Sequence, residues 1–164
     1  MILVYTGLGK GKTCACVGQA LRALGHNLTV AFGQFIKRDS QSGEQKILKA
    51  LLGDRFLASG LGFIKTGSLS SHKMSAEKLL NWAKALLPSL DMLILDELCY
   101  ALHYELIEKD AVLKLIHTSP HTHFVFSGRF APDWLLAKAN LITIMHPEKH
   151  PYNQGIKASL GLDY

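Results

Sequence analysis

ILVYTGLGKGKT, residues 2–13, is the stretch that decides the fold. Ile2 to Tyr5 form a short apolar run with no polar face, as a strand buried on both sides of a parallel sheet requires. Thr6 to Thr13 follow with glycines at 7, 9 and 11, a lysine at 12 and a hydroxyl at 13. Strand, glycine loop and helix in that order are the setting of a phosphate-binding loop. Glycines let successive backbone N–H groups turn toward phosphate oxygens, and the N-terminus of the next helix adds its dipole. In such a loop Lys12 reaches the terminal phosphates and the Thr13 hydroxyl ligates Mg²⁺. The usual pattern starts with glycine, whereas Thr6 stands there in this sequence, so the phosphates are expected in a shifted register. A glycine-rich turn without a ligand is the plain alternative.

Outward from this loop, short apolar runs recur as LTVAF (28–32), MLIL (92–95), HFVF (123–126) and LITIM (141–145). Each is expected to be a strand buried on both faces. Between them lie helical stripes: Val17, Ala20, Leu21 and Leu24 before Gly25, and Ile47, Leu48, Leu51 and Leu52 before Gly53. The clearest comprises Ala76, Leu79, Leu80, Ala83, Leu86 and Leu87, with Ser75 as N-cap and Pro88 as stop. Val112, Leu113 and Ile116 mark one more. Strands alternating with helices predict an α/β fold, doubly wound, with a mostly parallel sheet and helices on both faces. The 164 residues, 1–164, suit a single nucleotide-binding domain. Residues 37–43 and 60–73 are expected to be irregular, and long loops at the carboxyl ends of strands tend to carry function.

Composition narrows the function classes. With 48% hydrophobic and 19% charged residues the chain is globular, and no apolar run is long enough to span a membrane. A strand running straight into the glycine loop leaves no segment resembling a signal peptide, so a cytoplasmic location is expected. Three cysteines, Cys14, Cys16 and Cys99, are too few for a disulfide framework and are expected to be buried and reduced. Lys and Arg number 18 against 13 Asp and Glu, a net charge of +5 that suits polyanions. The basic residues are scattered, which ranks a nucleotide above nucleic acid.

A second set of candidates lies in DMLILDE (91–97), an apolar strand ending in two acids. Its carboxyl end should face the crevice that holds the phosphate loop. Asp96 and Glu97 are therefore candidates for Mg²⁺, and one of them for positioning a water; a helix start is the alternative use of the pair. Arg129 follows the strand HFVF and is equally a phosphate or substrate contact or a surface arginine. His117, His121 and His123 cluster in sequence, either for a metal or, more simply, as a solvated turn entering a strand. Trp82 and Trp134 fall on helical stretches and are expected to pack. No N-K-x-D segment for guanine recognition is present.

Several blocks together resemble the phosphate-loop type of ATP:cob(I)alamin (corrinoid) adenosyltransferase. They are TGLGKGKT (6–13), ALRALGH (20–26), GQFIK (33–37) with GEQ (43–45), LDELCYAL (95–102), SGRFAP (127–132) and KHPYNQGIKASLGLDY (149–164). They run in the family's order, and Thr6 at the head of the loop resembles the family's own form. The resemblance implies a RecA-like phosphate-loop fold, Mg²⁺ as cofactor, ATP and a reduced corrinoid as substrates, and a homodimer. It also implies a reductase as partner, supplying the Co(I) corrinoid. In such enzymes Co(I) attacks the ribose 5′ carbon and the whole triphosphate departs.

Carried over by position, nucleotide contacts fall on Gly7, Leu8, Gly9, Lys10, Gly11, Lys12 and Thr13, with Arg22 approaching the nucleoside. The metal falls to Thr13 with Asp96 and Glu97, Glu97 being the first choice, and Lys12 and Glu97 are the catalytic candidates. Phe63, in GFIKT (62–66), matches an aromatic residue near the corrinoid. Three departures stand out. Leu8 replaces a polar residue, no Trp follows Phe63, and no helical segment precedes the first strand. Two rivals use the same residues: a phosphate-loop ATPase, and a non-catalytic ATP-dependent corrinoid sensor or carrier.

Overall fold

The computed structural model describes residues 1–64 and 68–163. Its elements begin with β1 (Ile2–Thr6), α1 (Lys12–Leu24), β2 (Val30–Gln34) and α2 (Gly43–Leu52). Next come β3 (Phe56–Ala58), α3 (Leu69–Leu86), β4 (Met92–Asp96) and α4 (Leu98–His103). The chain continues with α5 (Lys109–Thr118), β5 (His123–Ser127), α6 (Asp133–Lys138) and β6 (Leu141–Ile144). The six strands form one sheet in the order β3-β2-β4-β5-β1-β6, and every pairing is parallel.

Alternation along the central strands divides the core in two. Val30, Phe32, Met92, Ile94 and Val125 point to one face, where Cys16, Ala20 and Ala23 of α1 and Leu48 and Leu52 of α2 cover them. Ala31, Leu93, Leu95, Phe124 and Phe126 point to the other, against buried residues of α3, α4, α5 and α6. Helices on both faces explain why these strands carry no polar side, as expected for a parallel sheet.

Several expectations need correction. LITIM was expected to be buried on both faces, yet Leu141, Ile142 and Ile144 are 42%, 43% and 53% exposed. The reason is position: β6 is the outermost strand and pairs only with β1. In α1 the buried arc is the small set Cys16, Ala20 and Ala23, which lets the helix lie close to the sheet, so Leu21 faces outward. Ile47 and Leu51 of α2 are likewise exposed. Helix α3 starts at Leu69, with Ser68 and not Ser75 at its N-cap, so residues 69–73 are helical, not irregular. Ser75 lies inside the helix, and its hydroxyl bonds the carbonyl of Ser59. Cys14 is exposed, and only Cys16 and Cys99 are buried. The short strand β3 (FLA) carried too few residues to show a period.

Parallel order brings the carboxyl ends of β1, β2, β4 and β5 to one edge of the sheet. The phosphate loop leaves β1 there, Lys37 follows β2, Asp96 ends β4 with Glu97 next to it as the N-cap of α4, and Arg129 follows β5. Among the described residues no helix is long and apolar enough to cross a membrane.

Candidate active site

The phosphate loop is held from outside. Gly9 N–H donates to the Met145 carbonyl at 2.8 Å, and Met145 N–H donates to the Thr6 carbonyl at 2.8 Å. A Cβ on Gly7 would lie 2.4 Å from the Met145 carbonyl oxygen, and one on Gly9 2.9 Å from the same peptide. These two glycines are therefore required by the close approach of the chain after β6, and at Gly7 also by a φ of +103°. Thr6 at the head of the loop has its own task. Its hydroxyl donates to the Gly128 carbonyl at 2.9 Å, clasping the ends of β1 and β5.

Lys12 opens α1 and is buried, with its ammonium donating to the carbonyls of Gly7 at 2.9 Å and Gly9 at 2.6 Å. Burial lowers its pKa, Glu97 opposes the shift, and Arg129 adds to it. Such an ammonium is incompletely paired in charge, and triphosphate oxygens would complete it.

Asp96 is fully buried at the end of β4 and is surrounded by donors. Ser127 Oγ donates at 2.5 Å, Gln34 Nε2 at 3.0 Å, and Thr13 Oγ1 lies 3.1 and 3.2 Å from its two oxygens. Gln45 Nε2 in turn donates to Gln34 Oε1 at 2.8 Å, while its own carbonyl oxygen accepts from the Gln41 and Ser42 backbones. A relay thus runs from the start of α2 to the carboxylate, fixing it beside Thr13.

Lys37 stands at the same place. Its Nζ is 2.7 Å from Glu44 Oε1, 3.2 Å from Thr13 Oγ1 and 3.9 Å from Asp96 Oδ2. Burial acts against its charge, but Asp96 and Glu44 override it, and its pKa is raised. A cation already held by these oxygens is evidence that the donor set fits Mg²⁺, a hard cation that takes oxygen ligands.

Glu97 is built differently from Asp96. It adopts a left-handed backbone, φ +61°, and its N–H donates to Ser127 Oγ at 3.0 Å. Burial and the neighbouring Asp96 charge push its pKa up to about 7 against the pull of Lys12, Lys37 and Arg129. A non-glycine residue that is held at positive φ and itself carries a perturbed carboxyl is the kind of strain that collects at working sites.

Two cavities meet over this edge. One, of about 670 Å³, is lined by the phosphate loop, by Val17, Gly18 and Leu21 of α1, and by Glu44. The other, of about 1090 Å³, has Ile36, Phe63, Tyr100 and Tyr152 on its walls. Leu8, Lys37, Glu97, Arg129, His150 and Asp163 line both, so they form the partition.

Of the residues singled out in sequence, the phosphate loop, Asp96, Glu97 and Arg129 come together. Lys10 does so through an ion pair with Asp163. Phe63 is 78% exposed on the second cavity, while residues 65–66 of GFIKT lie outside the described residues. Arg22, exposed in the last turn of α1, lines neither cavity. Among the described residues no group of three or more His, Cys, Asp or Glu is placed for a metal, so His117, His121 and His123 form no such set. Lys37, Glu44, Gln34, Ser127 and His150 were missed. One signal was present: a glutamine closing the apolar strand VAFGQ must find a buried partner.

A family model described as ATP:corrinoid adenosyltransferase BtuR/CobO/CobP matches residues 1–164. The chain belongs to this family. The corrinoid adenosyltransferase of Escherichia coli (strain K12) is 36% identical over 168 aligned positions, covering 100% of this chain and 85% of that protein. Those of Sinorhizobium sp and Pseudomonas aeruginosa are 36% and 34% identical, with 80% and 83% of their lengths covered. Among solved structures, the DNA-packaging ATPase B204 of Sulfolobus Turreted Icosahedral Virus superposes with a TM-score of 0.57. It covers 92% of this chain and 77% of that one at 16% identity, a likeness of fold alone, the RecA-like phosphate-loop fold. As a corrinoid adenosyltransferase, the chain takes ATP and a corrinoid as substrates and transfers the adenosyl group.

Proposed function

We propose that the chain transfers the 5′-deoxyadenosyl group of ATP to the Co(I) centre of a reduced corrinoid and releases intact tripolyphosphate. The observation that carries this is the pair of cavities sharing Glu97, Arg129 and His150 as a partition. The triphosphate lies on residues 7–13, the corrinoid fills the cavity that Phe63 and Tyr100 line, and the ribose 5′ carbon sits at the partition. The Co(I) electron pair forms the Co–C bond, and the C5′–O bond breaks with its electrons passing to the triphosphate. No protein base is needed.

The chain's contribution is placement and charge. Lys12, the loop N–H groups and the N-terminus of α1 meet the leaving oxygens, where a charge-assisted bond is strongest in a water-poor site. Asp96 and Thr13 would hold Mg²⁺, with Glu97 as a further candidate ligand beside them. The bound Mg²⁺ supplies neutralisation of phosphate charge. Phe63 and Tyr100 offer faces to the corrinoid and exclude water.

One phosphate-loop domain, 1–164, working in the cytoplasm with a reductase to supply Co(I), completes the proposal. The exposed apolar edge of β6 supports a homodimer: Leu141, Ile142 and Ile144 would be covered by a second copy.

Phosphorus NMR of an anaerobic mixture of protein, ATP and chemically reduced corrinoid tests the chemistry. Tripolyphosphate should appear in equal amount with adenosylated corrinoid. ADP and phosphate as main products, formed without corrinoid, would refute the proposal in favour of an ATPase.

A further inference from the structure

Lys37 sits where two cations cannot coexist. Its Nζ lies 3.2 Å from Thr13 Oγ1 and 3.9 Å from Asp96 Oδ2, the oxygens that would enter the metal shell, and 2.7 Å from Glu44 Oε1. Thr13 donates to Asp96 and accepts from Lys37, so one hydroxyl links carboxylate and ammonium. A Mg²⁺ ion bound to these oxygens at about 2.1 Å would face a positive charge only a few ångströms away.

We propose that the Lys37 ammonium occupies the divalent-cation position of the nucleotide-free protein and leaves it when metal and triphosphate arrive together. The proposal rests on Mg-ATP binding at the phosphate loop. Lys37 also lines both cavities, so its flexible stem has open volume into which the ammonium can move. A bare divalent ion must displace from Thr13 and Asp96 an ammonium that Glu44 still holds, so two positive charges crowd the same oxygens. A metal arriving with triphosphate brings the negative charge that re-pairs the ammonium. Metal occupancy is thereby made conditional on nucleotide, and Glu44 is the residue that keeps Lys37 in place until then.

Titration of the nucleotide-free protein with Mn²⁺, followed by electron paramagnetic resonance, tests this directly. Lys37→Met keeps the length of the side chain and removes the charge, and should bind Mn²⁺ at least about tenfold more tightly than wild type. Lys37→Arg, which keeps the charge, should stay at the wild-type level. The gain should vanish in Lys37→Met combined with Thr13→Val, which removes a ligand of the site. Superimposable Mn²⁺ titrations for wild type and Lys37→Met, or a gain that survives Thr13→Val, would overturn the proposal. If Lys37→Met does not fold, Lys37→Gln carries the same expectation. Wild-type binding of Mn²⁺ with ATP is measured alongside. Its failure would reject nucleotide binding at the loop itself, an outcome distinct from the Mn²⁺-alone comparison.

Discussion

Replacing Glu97 by glutamine should change the way stability depends on pH, because this carboxyl is raised from 4.5 to about 7 by burial and by the Asp96 charge. The sign follows from proton counting. Between these two values the folded protein binds a proton at Glu97 that the unfolded chain has released. Stability therefore falls as pH rises through that window, and the loss is complete once pH exceeds about 7. The full shift corresponds to at most about 3–4 kcal/mol, an upper bound because Glu97 is coupled to Asp96. Glutamine keeps the shape without the titration. Urea unfolding of nucleotide-free wild type and Glu97→Gln, followed by the fluorescence of Trp82 and Trp134, gives the difference at each pH from 5 to 8. Wild type should lose stability relative to the variant from pH 5 to about 7, and level off above that. A difference that stays flat from pH 5 to 8 would show that partial burial and the Asp96 charge do not hold a proton on Glu97.

Lys12→Ala should weaken ATP binding at least tenfold, about 1.4 kcal/mol, by isothermal titration, since the ammonium that completes the triphosphate cradle is gone. Phe63→Ala should raise the corrinoid KM about tenfold and leave ATP affinity unchanged, because Phe63 lines only the second cavity. Ile144→Glu places a charge on the exposed edge of β6, and should convert a dimer into monomers by sedimentation velocity with an unchanged circular dichroism spectrum.

The fold was legible where the sequence is periodic and apolar. The runs at 92–95 and 124–126 are strands with both faces buried, because helices cover both sides of the sheet, whereas Ile2, Leu3 and Tyr5 of β1 are only half-buried beside the edge strand β6. The edge strand β6 has the same composition as its buried neighbours, and an edge position is a fact of topology that no local pattern records. Ser75 fits the N-cap pattern, but α3 begins at Leu69 with Ser68 as its N-cap. At the site, Lys12, Thr13, Asp96 and Glu97 were legible because their chemistry is local to one strand end each. The different surroundings of the two acids were not, since only the folded backbone shows that Asp96 turns inward toward Ser127 and Gln34 while Glu97 turns toward the cavities. Lys37 and Glu44 are seven residues apart on different elements, and a lysine paired across a loop leaves no periodic trace.

The transfer itself is tested most directly by carbon NMR with ATP labelled with carbon-13 at the ribose 5′ position, incubated with the protein and chemically reduced corrinoid. A cobalt-bound 5′ carbon should grow in as ATP is consumed, one labelled carbon for each corrinoid converted, and Lys12→Ala should slow its appearance. Label that remains entirely in nucleotide while ATP is consumed would contradict carbon attack at the partition between the two cavities.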